Sequence, residues 1–400
     1  MKDSGIDWIG KIPDEWEINK IDSLYTLRNT KVSDKNYPPL SVTMKGIVPQ
    51  LATAAKSDDG DNRKLVKKGD FVINSRSDRR GSSGISNYDG SVSLINTILT
   101  PRGKMNPDYY NWLFHTVQFE DEFYKWGHGI VDDLWTTRWQ DMKNISVLVP
   151  PEEAQEKIAS FLDKKCSEID SIIEKSKKSI EEYKAWKQSV IFEAVTGKNN
   201  RIKWKQEKLK YLADYNIESL SEETNDDFNF DYIDIGSVKF GEGIVSKENM
   251  NFKVSPSRAR RIVKEGDVII SSVRTYLRAI ARIEKSDVPQ IVSTGFVVFT
   301  PNKEKITSDF LYYAISSESL IEQVEANSVG ISYPAINAID IANLKIPLPS
   351  MNEQEEIVIE IDKKCSQIDS LISEKQSLIK DLAEYKKSLI FEVVTGKRRV

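Results

Sequence analysis

The chain has 400 residues, of which 39% are hydrophobic and 30% charged, and a formal net charge of −4. That length suits two or three domains with ordinary cores, the balance excludes a uniformly basic nucleic-acid binder, and no apolar run approaches the ~20 residues of a membrane span. The opening MKDSGIDWIGKIPDEW lacks the apolar core of a secretory signal, so a cytoplasmic location is expected.

The first half begins with W-EINKIDSLY at Trp16. Short β-branched runs follow: FVIN, opened by Gly69-Asp70, and VSLINTIL, closed at Thr100-Pro101, read as strands. PDYYNWLFHTVQFEDEFYKW has the apolar spacing of a helix. DMKNISVLVP then leads into a long helical segment that runs from Pro150 to Lys198. The second half repeats this order. It has W-KQEKLKYLA at Trp204, VIISSV after Gly266-Asp267, IVSTGFVVF closed at Thr300-Pro301, helical TSDFLYYAISSESLIEQVEA, and DIANLKIPLP before a second long helix from Pro349. Corresponding anchors lie 188 to 200 residues apart, which is the size of a domain and too long for a solenoid unit.

The two long segments align without a gap at an offset of 199, with 23 identities in 49 positions, DKKCS and IFE-x-VTGK among them. Pro at the first turn, followed by Glu152 and Glu153 or by Glu353, favours a helix N-terminus, and Gly197 and Gly396 suit its end. About 44 residues at 1.5 Å each give roughly 66 Å. Ile169, Ile172, Tyr183, Trp186 and Val190 in the first helix recur at helical spacing, as do Ile368, Leu371, Leu378, Leu382, Tyr385 and Leu389 in the second. Such a stripe needs a coiled-coil partner, although Ser176, Ser179 and Lys375 weaken it. If a two-fold axis relates the halves, the second helix runs back antiparallel along the first. Cys166 and Cys365 have no metal-type spacing and are then expected about 24 Å apart, too far for a disulfide.

The expected fold class is α+β, mostly antiparallel: two globular domains joined by two long antiparallel coiled-coil helices, in a pseudo-two-fold internal repeat. The expected boundaries are 1–149 and 199–348 for the globular domains, and 150–198 and 349–400 for the helical regions.

Charge is unevenly placed. Residues 63–104 hold nine Lys and Arg against three Asp, residues 253–285 hold nine against three acids, and residues 218–231 hold six acids and no base. One basic segment is ordinarily loop solvation, but two at matching repeat positions point to a shared purpose. The candidate DNA-binding residues are Arg76, Arg79, Arg80, Ser82 and Ser83 in NSRSDRRGSSGIS, with Arg258, Arg260, Arg261, Arg274, Tyr276 and Arg278 in SPSRARR and SSVRTYLR. Arg can fork onto guanine O6 and N7, whereas Lys and Ser more often hold phosphate. Salt bridges to Asp70, Asp78 or Asp267 are the competing use of these cations. Two further loops, GHGIVDDLWTTRW and NSVGISYPAI, have the Gly, Ser and aromatic content of groove-facing segments.

No catalytic or metal site is expected. NPDYY at Asn106 departs from the N-P-P-Y motif of adenine methyltransferases at Asp108. TGK at 196–198 and 395–397 ends a helix where a phosphate loop would begin one. PDEW at Pro13 has no Glu-x-Lys beside a strand, and His115 and His128 have no companion ligand.

Taken together, these motifs resemble the specificity subunit of type I restriction-modification systems. They are the Trp starts at Trp16 and Trp204, the GD strands at Gly69-Asp70 and Gly266-Asp267, the Pro-to-Gln leads into the helices (Pro150 to Gln155, Pro347 to Gln354), and the ends at Gly197-Lys198 and Gly396-Lys397. The first lead departs slightly, with Val149 before Pro150. The resemblance covers essentially the whole chain. It implies a non-catalytic subunit in which each target-recognition domain reads one half of a split double-stranded DNA target through the major groove. It also implies helices that set the spacer and dock two methyltransferase (M) subunits, with restriction (R) subunits joining. S-adenosylmethionine, ATP and Mg would act in the partner subunits, and no cofactor would be bound by this chain. A coiled-coil scaffold without DNA reading is the alternative, opposed by the paired basic segments. A self-contained methyltransferase or nuclease is a third reading, which activity of the chain alone would support.

Overall fold

The structure is a computed structural model that describes residues 1–53, 60–129, 135–198 and 203–400. The chain divides into two compact units, Met1–Lys177 with Gln376–Val400, and Lys178–Lys375. Each takes part of both long helices, Glu152–Thr196 and Met351–Val394.

In the first unit a four-stranded antiparallel sheet has the order Ser83–Ile85, Phe71–Asn74, Asn96–Pro101, Tyr25–Arg28. A three-stranded sheet of Gly90–Val92, Arg63–Val66 and Lys31–Val32 and a hairpin of Leu40–Thr43 with Gly46–Pro49 lie beside it. Helices Pro107–Phe114 and Val117–Lys125 cover the larger sheet with aromatics, so that Tyr25, Phe71, Tyr109, Tyr110, Phe114, Phe119 and Phe123 are all buried. Rings in this cluster meet at 4.4 to 6.3 Å. Truncating one to Ala costs about 3–5 kcal/mol.

The second unit keeps the frame. Its sheet has the order Ile280–Arg282, Val268–Ser271, Phe296–Pro301, Ala213–Tyr215, the same sequence of elements. Helices Ser308–Ser316 and Glu318–Asn327 pack over it. The second sheet differs: Glu248–Asn251, Asn229–Ile233, Gln290–Ser293 and Ala259–Val263, with one parallel pair between Asn229–Ile233 and Gln290–Ser293.

Two apolar runs bend where the sequence reads continuous strands. VSLINTIL is divided between Gly90–Val92 and Asn96–Pro101, and IVSTGFVVF between Gln290–Ser293 and Phe296–Pro301. The turn lets one run serve two sheets. Each helical run is likewise broken once. Thr116 interrupts the first by accepting a hydrogen bond from Phe119 N, and Ser317 interrupts the second in extended backbone.

The repeat motifs are structural clamps. Buried Gln155 donates to Pro150 O at 2.8 Å and accepts from Asn106 N at 2.9 Å. Buried Gln354 donates to Pro349 O and Lys305 O and accepts from Thr307 N at 2.9 Å. Each Gln therefore ties the start of a long helix to the start of a globular helix. At the other end Gly396 has φ +69°, and a Cβ there would lie 2.6 Å from the Pro13 ring and 3.0 Å from Trp16. Only Gly fits that helix end.

Within each unit the long helices run antiparallel. In the first, Asp170 pairs with Lys386 at 2.7 Å, while Ile158 and Leu162, earlier in the first helix, share a core with Val393 and Val394, later in the second. In the second, Asp369 pairs with Lys187 at 2.7 Å, while Ile191 and Val195 share a core with Ile361 and Cys365. The two ion pairs are repeat equivalents. The seam is narrower than the expected stripe. Ile169, Val190, Ile368 and Leu389 are buried, as is Ser176, but Ile172, Trp186, Leu371, Leu378 and Tyr385 are exposed. A spacing of three and four admits two neighbouring stripes, and only the one facing a partner is covered. Cys166 and Cys365 are free, buried thiols, and burial raises the pKa of each.

Candidate nucleic-acid interface

The GD turn sets each basic loop. Asp70 accepts from Lys67 N, from the Thr100 hydroxyl at 2.9 Å, and from the Arg28 guanidinium at 2.6 and 3.0 Å. Asp267 accepts from Lys264 N and from Thr300 at 2.8 Å, with Asn216 standing where the first unit has Arg28. The strand after each turn delivers the chain to the sheet edge, where the basic loop begins.

There the two loops that the sequence presents separately are stitched together, in the same way in both units. In the first unit Thr137 N donates to Ser75 O, Ser77 N to Trp135 O, and His128 and Thr136 exchange backbone hydrogen bonds at 3.0 Å. In the second, Ile336 N donates to Ser272 O, Thr275 N to Pro334 O, and Val329 and Ala335 exchange theirs. The loop preceding the return to the long helix thus forms one edge with the basic loop. Residues 130–134 of GHGIVDDLWTTRW lie outside the described residues.

In the first unit Asp78 lies between Arg76 at 3.2 Å and Arg79 at 3.7 Å. Arg80 pairs with Asp121 and lies over the Tyr124 ring at 5.1 Å. Arg79, Arg80, Asn74 and Asn96 line an open cleft of 610 Å³ with Met44 and Leu51 from and beyond the hairpin. Ser82 is buried at its edge, and Ser83 is buried with its hydroxyl 3.3 Å from His115 Nε2. His128 pairs with Asp141.

In the second unit exposed Arg258 donates to the Tyr232 hydroxyl at 3.2 Å and lies 3.9 Å from Asp234. Its carbonyl accepts from Thr294 N, and Gly295 O accepts from Ser272 N, which joins Arg258 to the stitched edge. Arg260 caps the Ala259 carbonyl and lies over Phe252. Arg261 is half-buried, and burial lowers its pKa. Arg274 and Arg278 hold left-handed backbone, with φ 51° and 49°, at the two ends of the short turn Thr275–Leu277. Arg278 is bound between Glu318 at 3.1 Å and Glu325 at 3.0 Å; burial works against its charge, and the two carboxylates more than offset it. Arg274 lies 5.4 Å over the Tyr333 ring. Tyr276 is exposed beside it, as are Val329, Ile331 and Tyr333.

The fold thus brings Arg76, Arg79 and Arg80 to one edge and Arg258, Arg274 and Tyr276 to the matching edge of the other unit. Ser82, Ser83, Arg260, Arg261 and Arg278 are turned to structural partners or burial. Sequence reasoning missed Tyr333 and Ile331 as individual residues and missed the hairpin at Met44. The apolar content of NSVGISYPAI was the one available signal.

The model of the type I restriction modification DNA specificity domain matches the chain twice, over residues 13–182 and 200–381. The chain belongs to that family. The specificity subunit of type I restriction enzyme MjaVIII from Methanocaldococcus jannaschii is 25% identical, over 98% of this chain and 94% of that one. The putative MjaX specificity subunit of the same organism is 24% identical over 98% and 96%. Among solved structures, a chain from work on assembly and conformational transition of the type I R-M system superposes with a TM-score of 0.76 at 14% identity, over 97% of this chain and all of that one. The HsdS subunit from Thermoanaerobacter tengcongensis gives 0.59 at 16% identity, over the whole of both. These likenesses show the specificity-subunit fold: mixed helix and strand, with two repeated domains and two long helices. Among the described residues no helix is long and apolar enough to cross a membrane.

Proposed function

We propose that each unit reads one half of a bipartite double-stranded DNA target with its stitched two-loop edge. The observation that carries this is the recurrence of that edge, with the same backbone bonds and its own exposed cations, in both units. Phosphate contacts from the cations position the duplex, and Arg side chains and the aromatic tip reach base edges. Arg79, Arg80, Arg258, Arg274 and Tyr276 are the leading readers, with Arg76 beside them.

The paired helices dock two copies of one methyltransferase subunit, and restriction subunits join that core. Ile172 lies within one residue of the register of Tyr385, as the Asp170–Lys386 pair sets it, and both are exposed. Leu371 and Trp186 stand in the same relation to the Asp369–Lys187 pair and are also exposed. Two equivalent aromatic-aliphatic patches suit two identical partners. On this reading the chain is a non-catalytic specificity subunit, with S-adenosylmethionine, ATP and Mg in its partners, and its DNA target goes with a cytoplasmic location. Methylome sequencing of a host expressing the system with and without this chain tests the reading. A bipartite methylated motif that disappears without the chain supports it, and an unchanged methylome defeats it.

A further inference from the structure

The tip of the second unit is apolar where a solvent loop would be polar. Ile331 is fully exposed at 102%, Val329 at 80% and Tyr333 at 67%. The loop is not loosely tethered: Val329 and Ala335 exchange backbone bonds at 2.8 and 3.0 Å, Ile336 N donates to Ser272 O at 2.9 Å, and Thr275 Oγ1 meets Ser328 Oγ at 3.0 Å. A contiguous apolar tip on a loop whose two flanks are hydrogen-bonded to the fold marks a surface that another molecule covers. The neighbours identify the occupant. The tip is bonded to the loop that carries Arg274, whose guanidinium lies over Tyr333 and, among the described residues, has no carboxylate partner. The same edge continues to exposed Arg258. A cation-flanked apolar projection suits a polyanion with an apolar group recessed between its charges. In duplex DNA that group is the thymine C5-methyl, which stands in the major groove between the phosphate rows.

We infer that Ile331, on the same exposed tip as Tyr333, reads a thymine methyl in the second half-site, while Arg274 holds the flanking backbone or base edge. This rests on the proposal that the second unit reads DNA, and it names the chemistry of that contact. The half-site of the second unit therefore contains thymine, and one thymine there is read by shape and burial rather than by hydrogen bonding.

The test uses the full chain assembled with its methyltransferase subunit on a duplex carrying the motif found by methylome sequencing. Each thymine of the second half-site is replaced singly by uracil, which deletes only the methyl. At one position affinity is expected to fall about four-fold, the worth of one buried methyl. Ile331→Ser is expected to bind the thymine duplex as weakly as the wild-type complex binds the uracil duplex, and to ignore the substitution. Indifference of the wild type to every replacement, a half-site without thymine, or an Ile331→Ser complex that still loses about four-fold on uracil would overturn the inference. Failure of Ile331→Ser to assemble with the methyltransferase subunit would also overturn it, by assigning the tip to a protein interface. If the wild-type complex instead failed to prefer its motif over a scrambled duplex, the underlying DNA-reading proposal would fail. That outcome is distinct from a complex that prefers its motif but ignores the methyl.

Discussion

Asp70 and Asp267 occupy the same turn in different electrostatic company. Asp70 is buried against the Arg28 guanidinium, and Asp267 is buried with Lys264 N and Thr300 as its donors among the described residues. Burial is the largest influence on Asp267 and raises its pKa, with the two hydrogen bonds opposing. The folded state then holds that proton more tightly than the unfolded chain. The contribution of Asp267 to stability is full at pH below the unfolded carboxylate value and is lost as pH rises through the folded one. Asp267→Asn is therefore expected to cost little at pH 7, about 1 kcal/mol or less, and to flatten this pH dependence. Asp70→Asn leaves Arg28 without its counter-charge and is expected to cost about 3 kcal/mol. Urea midpoints of the two variants between pH 4 and 8 measure both. Gln354→Leu leaves Thr307 N, Lys305 O and Pro349 O without their partner. A loss of about 3 kcal/mol is expected in the same assay. At the interface, Arg274→Ala is expected to relax base choice in the second half-site, worth about 1–3 kcal/mol if the contact is bidentate, in a binding series over variant sites. Equal weakening on every site would instead make Arg274 a phosphate contact.

At the scale of elements, the long helices separate two tasks by face. The buried seam of Ile169, Ser176, Val190, Ile368 and Leu389 holds the pair together, and the exposed Ile172, Trp186, Leu371 and Tyr385 do not contribute to it. Trp186→Ala is therefore expected to leave thermal stability within about 0.5 kcal/mol. If the patch docks a methyltransferase subunit, the same change costs about 2 kcal/mol or more of binding, roughly thirty-fold. Tyr385→Ala tests the equivalent patch. Subunit stoichiometry by native mass spectrometry is the readout, and a fall from two bound subunits to one in either variant is the expected result. Loss of stability with unchanged stoichiometry would return these residues to a packing role. The partly exposed Asp170–Lys386 and Asp369–Lys187 pairs set register more than they add stability.

Across the whole molecule, the duplication makes the two readers separable. Each unit has its own core, its own GD clamp and its own stitched edge. Exchanging residues 22–140 for another recognition domain is expected to change one half of the methylated motif and leave the other intact. Methylome sequencing of the chimera decides it, and simultaneous change in both halves would refute independent reading.

The repeat, the long helices and the strands that follow the GD turns were legible in the sequence because each rests on local chemistry. A helix start needs Pro and Glu, an end needs Gly at positive φ, and a strand needs a β-branched run between turn formers. The basic loops were legible as composition. What each cation does there was not, because Arg274 and Arg278 stand four residues apart in one loop and differ only in what lies across from them. Glu318 and Glu325 hold Arg278, while Tyr333 lies beneath Arg274. Those partners come from segments about 40 to 60 residues away in sequence, and only tertiary folding places them. The same holds for the helix stripe. Spacing alone could not say that Ile169 is covered and Ile172 is bare, because that depends on where the returning helix lies.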